Sequence, residues 1–455
     1  MKTNHLLLLL IICLLSCTKN AVLQQETART LNSHTIPVEQ AIENLNRFLG
    51  SEYNFRTKLS SDYSIEVIPS SCIGTKSTES YCDSLLYIIN FSDDNGYAVL
   101  AADDRISSNI IAVTEKGALS IKDFKKFQDD VIIPSDTLKL YDEELNDYLV
   151  GDYTGDGQED SVKIINNSPI IADMILDYAE GELSKNKERE FVDTFNDGSG
   201  NVKMTVEHST TQYYEEKVTP LLADFNDWTQ DKPFNNLCPT VFKEKTACGC
   251  VNLALAYIMT FWKFPDIYEI DGYKIDWEGL RKPFSRITAI SSAAILLRHM
   301  GKINLSIYLP RGTFTFPSLA AKYLSNSLYK NVEYIDYDTQ KVVKALNNGC
   351  PIMICSIPTE GITGSHAWVI DGYKDLHEYT TIKHYKNGIY QYSNYTSHTI
   401  NLIHCNFGWG SYGNGYFTSG VFDLKKVRLD DSKKESPFSD NYTKYLKIIT
   451  YDAPR

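Results

Sequence analysis

The chain has 455 residues, of which 43% are hydrophobic and 12% aromatic, and a formal net charge of -13. That length exceeds what one core normally fills, so two or three domains are expected, and the apolar content excludes a disordered chain. The acidic balance, with no Lys/Arg cluster to break it, excludes nucleic acid as a partner, because phosphate binding needs a basic footprint.

In chain order, a polar start (Met1–His5) precedes an unbroken apolar run from Leu6 to Leu15 and then Ser16-Cys17. The run is too short to cross a bilayer core, so residues 1–17 read as a signal peptide and the protein as exported. Leu14-Leu15-Ser16-Cys17 has the form of a bacterial lipobox, with Cys17 as the lipidation site; the alternative is an ordinary secretory signal that holds a cysteine. On the first reading the chain is a cell-envelope lipoprotein with an outer-membrane lipid anchor, and on either it is secreted or released after processing.

Val38–Leu49 has helical periodicity. Leu85–Asn90 and Tyr97–Ala102 read as strands joined by the turn Asp93-Asp94-Asn95-Gly96, giving a small α+β region. Within it, Cys72 and Cys82 are close enough in sequence for a disulfide outside the cytoplasm. Residues 152–160 space acidic side chains as a calcium loop would. Lys163, however, stands at the twelfth position, where such a loop needs an acid, so an acidic turn is preferred and no metal or other cofactor is expected. The polar stretch Ser184–Asn201 reads as a linker, which places a domain boundary near residue 210.

Beyond Val218 the sequence turns aromatic. Gly249–Phe264 is a nearly all-apolar helix stopped by Pro265, and Ile287–Met300 is a second helix. Strand-like runs follow at 351–356, 367–371, 399–405 and 416–418. A helical half followed by a β-rich half is an α+β layout.

Three residues stand where chemistry needs them. Cys250 opens the apolar helix, where unpaired N–H groups and the dipole favour a thiolate; the alternative is a buried structural cysteine. His366, in Ser365-His366-Ala367-Trp368-Val369-Ile370-Asp371-Gly372, begins an apolar strand and can face a cleft as a base, or is one more core histidine. Asn406, in Cys405-Asn406-Phe407-Gly408-Trp409-Gly410, ends a strand where its side-chain carbonyl would fix the imidazole tautomer, with Trp409 shielding that bond; alone it would be a turn residue.

Cys250–Pro265, Ser365–Gly372 and Asn406–Gly410, in this order, resemble the streptopain-like cysteine peptidases. Val218–Pro239 is similar to the start of that family's mature enzyme, and Tyr97–Gly117 to part of its propeptide. The resemblance implies a papain-like two-lobed catalytic domain (a helical and a β-rich lobe) over residues 211–455, preceded by a smaller α+β inhibitory propeptide over 18–210. It also implies a secreted endopeptidase made as a zymogen, acting on protein or peptide substrates without a cofactor, with its own propeptide as inhibitor. By the same match Cys250 is the nucleophile, His366 the general base and acid, Asn406 the orienter and Gln230 a side-chain donor to the oxyanion. Phe407 stands where the family has a tryptophan, and Tyr308–Phe314 departs from the family's small-residue groove wall. The alternatives are a cell-wall peptide amidase of similar fold and a surface lipoprotein that binds proteins without catalysis.

Overall fold

Strands from both ends of the chain join one antiparallel sheet. The computed structural model describes residues 34–50, 63–69, 84–124, 136–142, 147–153, 168–185, 204–241, 243–282, 287–309, 312–357, 365–422 and 445–454. Helix α1 (Val38–Gly50) buries Ala41, Leu45 and Phe48, which share one face at helical spacing. Strands β1 (Tyr63–Ile68), β2 (Leu86–Phe91), β3 (Tyr97–Ala101) and β4 (Ile110–Thr114) form a meander. Every residue of β3 and β4 is buried, as expected of strands covered on both faces. Helix α2 (Ser168–Lys185) follows.

Strand β5 (Met204–Val218) leads into the second half of the chain. Helix α3 (Cys250–Trp262) is buried along Val251–Thr260, as its apolar sequence demands, and stops where Lys263 turns left-handed at φ 52° and the chain meets Pro265. Helix α4 (Ile287–Ile303), strands β6 (Ile307–Leu309) and β7 (Gly312–Phe314), helix α5 (Pro317–Asn326), strand β8 (Lys330–Asp336) and helix α6 (Thr339–Asn347) come next. The remaining strands are β9 (Ile352–Ile357), β10 (His366–Lys386), β11 (Ile389–Asn406), β12 (Gly415–Thr418) and β13 (Tyr445–Asp452).

The main sheet has 11 strands in the order β1-β2-β3-β4-β12-β11-β10-β9-β13-β8, with β5 pairing the outer part of β10. Its central seam is β4 against β12, where Thr114, Val113 and Ala112 pair with Gly415, Tyr416 and Phe417. The N-terminal region and the strands that carry His366 and Asn406 are therefore one hydrogen-bonded sheet over one continuous apolar core. The fold is a mixed α/β architecture built around this sheet.

Two expectations meet the structure differently. The linker expected from Ser184 begins inside α2, which continues through Lys185, and residues 186–203 lie outside the described ones. The boundary placed near residue 210 falls within β5, because the strand's pairing with β10 carries it into the sheet of the second half. Cys17, the Cys72–Cys82 pair and residues 154–160 of the acidic loop also lie outside the described residues. Among the described residues no helix is long and apolar enough to cross a membrane.

Candidate active site

The start of α3 is shaped by glycine. Gly249 has φ 94°, and a Cβ there would stand 3.1 Å from Thr313 Cγ2 and 3.3 Å from Asn252 Nδ2, so no larger residue fits without strain. Thr313, on β7, donates to the Ala247 carbonyl at 2.6 Å. The β6–β7 hairpin, whose sequence departs from the small-residue wall of the streptopain family, thus braces the segment that delivers Cys250. The backbone N–H groups of Ala367, Val251 and Cys250 itself lower the pKa of the Cys250 thiol. The nucleophile candidate therefore feels the N–H of the residue that directly follows His366.

His366 begins β10 and is 6% exposed. Its ring stacks on Trp409 with centroids 4.7 Å apart and an interplanar angle of 29°. Trp368 and Phe407 complete an aromatic surround, at 5.9 and 6.3 Å from the imidazole. His366 Nε2 lies 3.0 Å from the Phe407 carbonyl oxygen. A carbonyl only accepts, so Nε2 carries the hydrogen and Nδ1 keeps the lone pair of a neutral imidazole. That tautomer can take a proton.

Burial dominates the electrostatics of both groups. It pushes the Cys250 thiol above its ordinary value, against the lowering effect of the backbone N–H donors of Ala367, Val251 and Cys250. It pushes His366 down to about 4, with the Phe407 carbonyl acting the other way. The helix N-terminus was expected to favour a thiolate; in this enclosed site desolvation of the charged form outweighs it, and the pair rests as thiol and imidazole.

Asn406 does not hold the imidazole, contrary to its expected role as orienter. Its Oδ1 accepts from the Gly408 N–H at 3.0 Å and its Nδ2 donates to the Asn226 carbonyl at 3.4 Å. The left-handed turn at Gly408, φ 71°, brings that N–H back onto the side chain, and the backbone carbonyl of the next residue takes the histidine instead. Gln230 is half-buried, and its carbonyl accepts the Cys248 N–H at 3.0 Å, which ties it to the segment entering α3. Trp228 stacks on Tyr257 of α3 at 4.6 Å, and its carbonyl accepts the Gly410 N–H. These contacts draw the segments of Gln230, Cys250 and Trp409 together.

Sequence reasoning passed over His404 and Asp371. The register steps from Ile370↔Cys405 to Gly372↔His404, so Asp371 is the extra residue of a β-bulge. The bulge aims one Asp371 oxygen at His404 Nδ1, 2.6 Å away, and the other at the Leu222 N–H, 3.0 Å away. His404 Nε2 faces Glu115 Oε1 at 3.5 Å. Burial would lower the His404 pKa, but the two carboxylates prevail and hold it at about 10. The available signal was spacing: an Asp five residues after His366 and a His two before Asn406, on strands long enough to pair.

Cys238, Cys248, Cys350, Cys355 and Cys405 are buried free thiols. One group among the described residues, His34, Asp103 and Asp104, lies close enough to share a metal ion. Arg105 engages both Asp103 oxygens there, at 2.9 and 2.6 Å, so the charge is already met by a guanidinium.

Residues 228–417 match the model of the Peptidase C10 family. This span is similar to the Peptidase C10 family. The chain is accordingly a cysteine-type peptidase, and Gln230, Cys250, His366, Asn406 and Trp409 all lie within the matched C10 span, whereas Glu115 precedes it. Among solved structures, the chain is similar to a prointerpain A fragment of Prevotella intermedia, with 17% identity, a TM-score of 0.47, and coverage of 86% of this chain and 100% of that one. It is also similar to active wild-type interpain A cysteine protease of the same organism, with 19% identity, a TM-score of 0.34, and coverage of 51% and 93%. No curated protein matches the chain.

Proposed function

We propose that this C10 peptidase is the precursor of a secreted endopeptidase, in which Cys250 attacks the peptide carbonyl and His366 moves the protons. One observation carries the reading: the backbone N–H of Ala367, the residue after His366, acts on the Cys250 thiol, and the His366 Nε2–H is held by the Phe407 carbonyl. Nδ1 of His366 is then the base for the thiol. Attack forms a tetrahedral intermediate, whose collapse to a thioester expels an amine protonated by His366; water activated by the same histidine then hydrolyses the thioester. The Cys250 N–H and the Gln230 amide would receive the oxyanion, and Asn406 shapes the loop that bears Phe407 and Trp409.

On this reading residues 1–17 direct export with Cys17 as the lipid attachment site, residues 18–210 are an inhibitory propeptide, and residues 211–455 are a two-lobed papain-like catalytic domain. The neutral thiol and imidazole support a latent precursor, since a thiolate is the attacking form. The test is turnover of a fluorogenic peptide by residues 18–455 and by its Cys250→Ala variant. Wild type is expected to cut itself and gain activity, and the variant to stay near full length and inactive. Turnover by Cys250→Ala at a rate comparable to wild type overturns the assignment, and an uncut wild-type chain of full activity overturns the precursor reading alone.

A further inference from the structure

We infer that Glu115 is the latch of the precursor: its carboxylate completes an Asp371–His404–Glu115 ion-paired triad that fastens the N-terminal region to the strands bearing His366 and Asn406, and holds the precursor shut. The inference rests on the precursor reading above.

The triad spans the seam of the sheet. Asp371 and His404 belong to β10 and β11, and their side chains are each 1% exposed; Glu115 directly follows β4. His404 Nε2 makes no hydrogen bond. Its separation of 3.5 Å from Glu115 Oε1 is an ion-pair distance, so the attraction depends on charge at both ends. A second carboxylate is what an imidazolium buried this deeply needs, because a buried charge is tolerated only when compensated.

The backbone around Glu115 leads to the catalytic histidine. Glu115 N–H donates to the Asn414 carbonyl at 2.8 Å, and Gly413 N–H donates to the Lys116 carbonyl at 3.0 Å. Asn414 Oδ1 in turn accepts the Phe407 N–H at 2.9 Å, and the Phe407 carbonyl holds His366. Asn226 bridges the same place, receiving Asn414 Nδ2 on its carbonyl at 3.2 Å and offering its own Nδ2 to Glu115 Oε2 at 3.5 Å. Departure of Glu115 thus removes support from the loop that positions Phe407.

Other titratable groups near His404 do not compete for its charge. Tyr416, on β12, packs edge-on at 5.0 Å, and burial keeps its phenol neutral. Lys374 of β10 lies over the Tyr416 ring at 4.7 Å, and burial lowers it to about 8. Lys116 lies over Tyr412.

The attraction is linked to the His404 proton. On the alkaline side, Glu115 raises His404 above the value it has in the released enzyme, where Asp371 faces it alone. That attraction is complete below the released-enzyme value and is lost as pH rises through about 10.

The experiment compares self-cleavage of full-length wild type and Glu115→Gln between pH 5 and 8. Both release an identical enzyme, so the ratio of their rates reports the precursor alone. The ratio is expected to be about fivefold, the size of a partly exposed ion pair; a ratio of 1 throughout overturns the latch. As a second readout, His404 is titrated by NMR in the full-length Cys250→Ala chain with and without Glu115→Gln. It is expected to stay an imidazolium through pH 8 in the parent and to lose its proton at lower pH in the variant; coincident titrations overturn the ion pair. If neither active chain is cut, the precursor reading fails, and the titration still decides whether Glu115 pairs with His404.

Discussion

His366 is held by the Phe407 backbone carbonyl at 3.0 Å, while Asn406, one residue earlier, turns its side chain onto Gly408 and Asn226. A main-chain acceptor cannot be removed by substitution. Asn406→Ala is therefore expected to lower kcat/KM by about tenfold or less, since it loses neutral hydrogen bonds of roughly 1 kcal/mol each. A loss as large as that of His366→Ala, measured on the same peptide, would contradict the geometry.

Cys250→Ala and His366→Ala are each expected to abolish turnover with the melting transition retained, because each leaves the other without a partner. Gln230→Ala is expected to leave weak activity, down by on the order of a hundredfold to a thousandfold, since the backbone N–H remains. Peptide kinetics with melting curves on the same preparations check both.

Alkylation by iodoacetamide reads the Cys250 thiolate. In the precursor, burial holds the thiol above its ordinary value and His366 near 4, so alkylation at pH 7 is expected to be slow and to rise only in the alkaline range. After self-cleavage the midpoint is expected to move down as water and a protonated imidazole reach the sulfur. A midpoint that does not move would show that the enclosure of Cys250 is independent of residues before β5.

Gly249→Ala tests the entry to α3. At φ 94°, with Thr313 Cγ2 3.1 Å from the added Cβ, the variant is expected to lose about 1–3 kcal/mol of stability. Activity should fall as well, because the same residue aims Cys250. Thermal melts and peptide turnover together check this, and an unchanged melting transition would contradict it.

Acid sensitivity follows from His366. Its native value of about 4 lies below that of an unfolded histidine, so the unfolded chain binds more protons between those values. Its contribution to stability is present above the unfolded value and is lost as pH falls toward 4. Denaturant midpoints of His366→Gln are expected to fall less steeply than wild type across that window.

The sequence by itself determined the local elements and the place of the candidate nucleophile at a helix start. An apolar run broken by Pro265 reads as a buried helix with Cys250 at its start, and the runs 85–90 and 97–102 read as strands, which the structure places at 86–91 and 97–101. These follow from periodicity and from glycine and proline chemistry, which act over a few residues. Tertiary structure alone decided that β5 crosses the expected boundary and that β4 pairs with β12, since the N–H and C=O groups of a sheet edge have no sequence signature. It also decided that Phe407 rather than Asn406 meets His366, that a bulge turns Asp371 onto His404 opposite Glu115, and that Cys250 rests as a thiol. Hydrogen-bond partners and pKa values depend on which groups come within about 3 Å and how much water is excluded, and only the packed chain fixes those quantities.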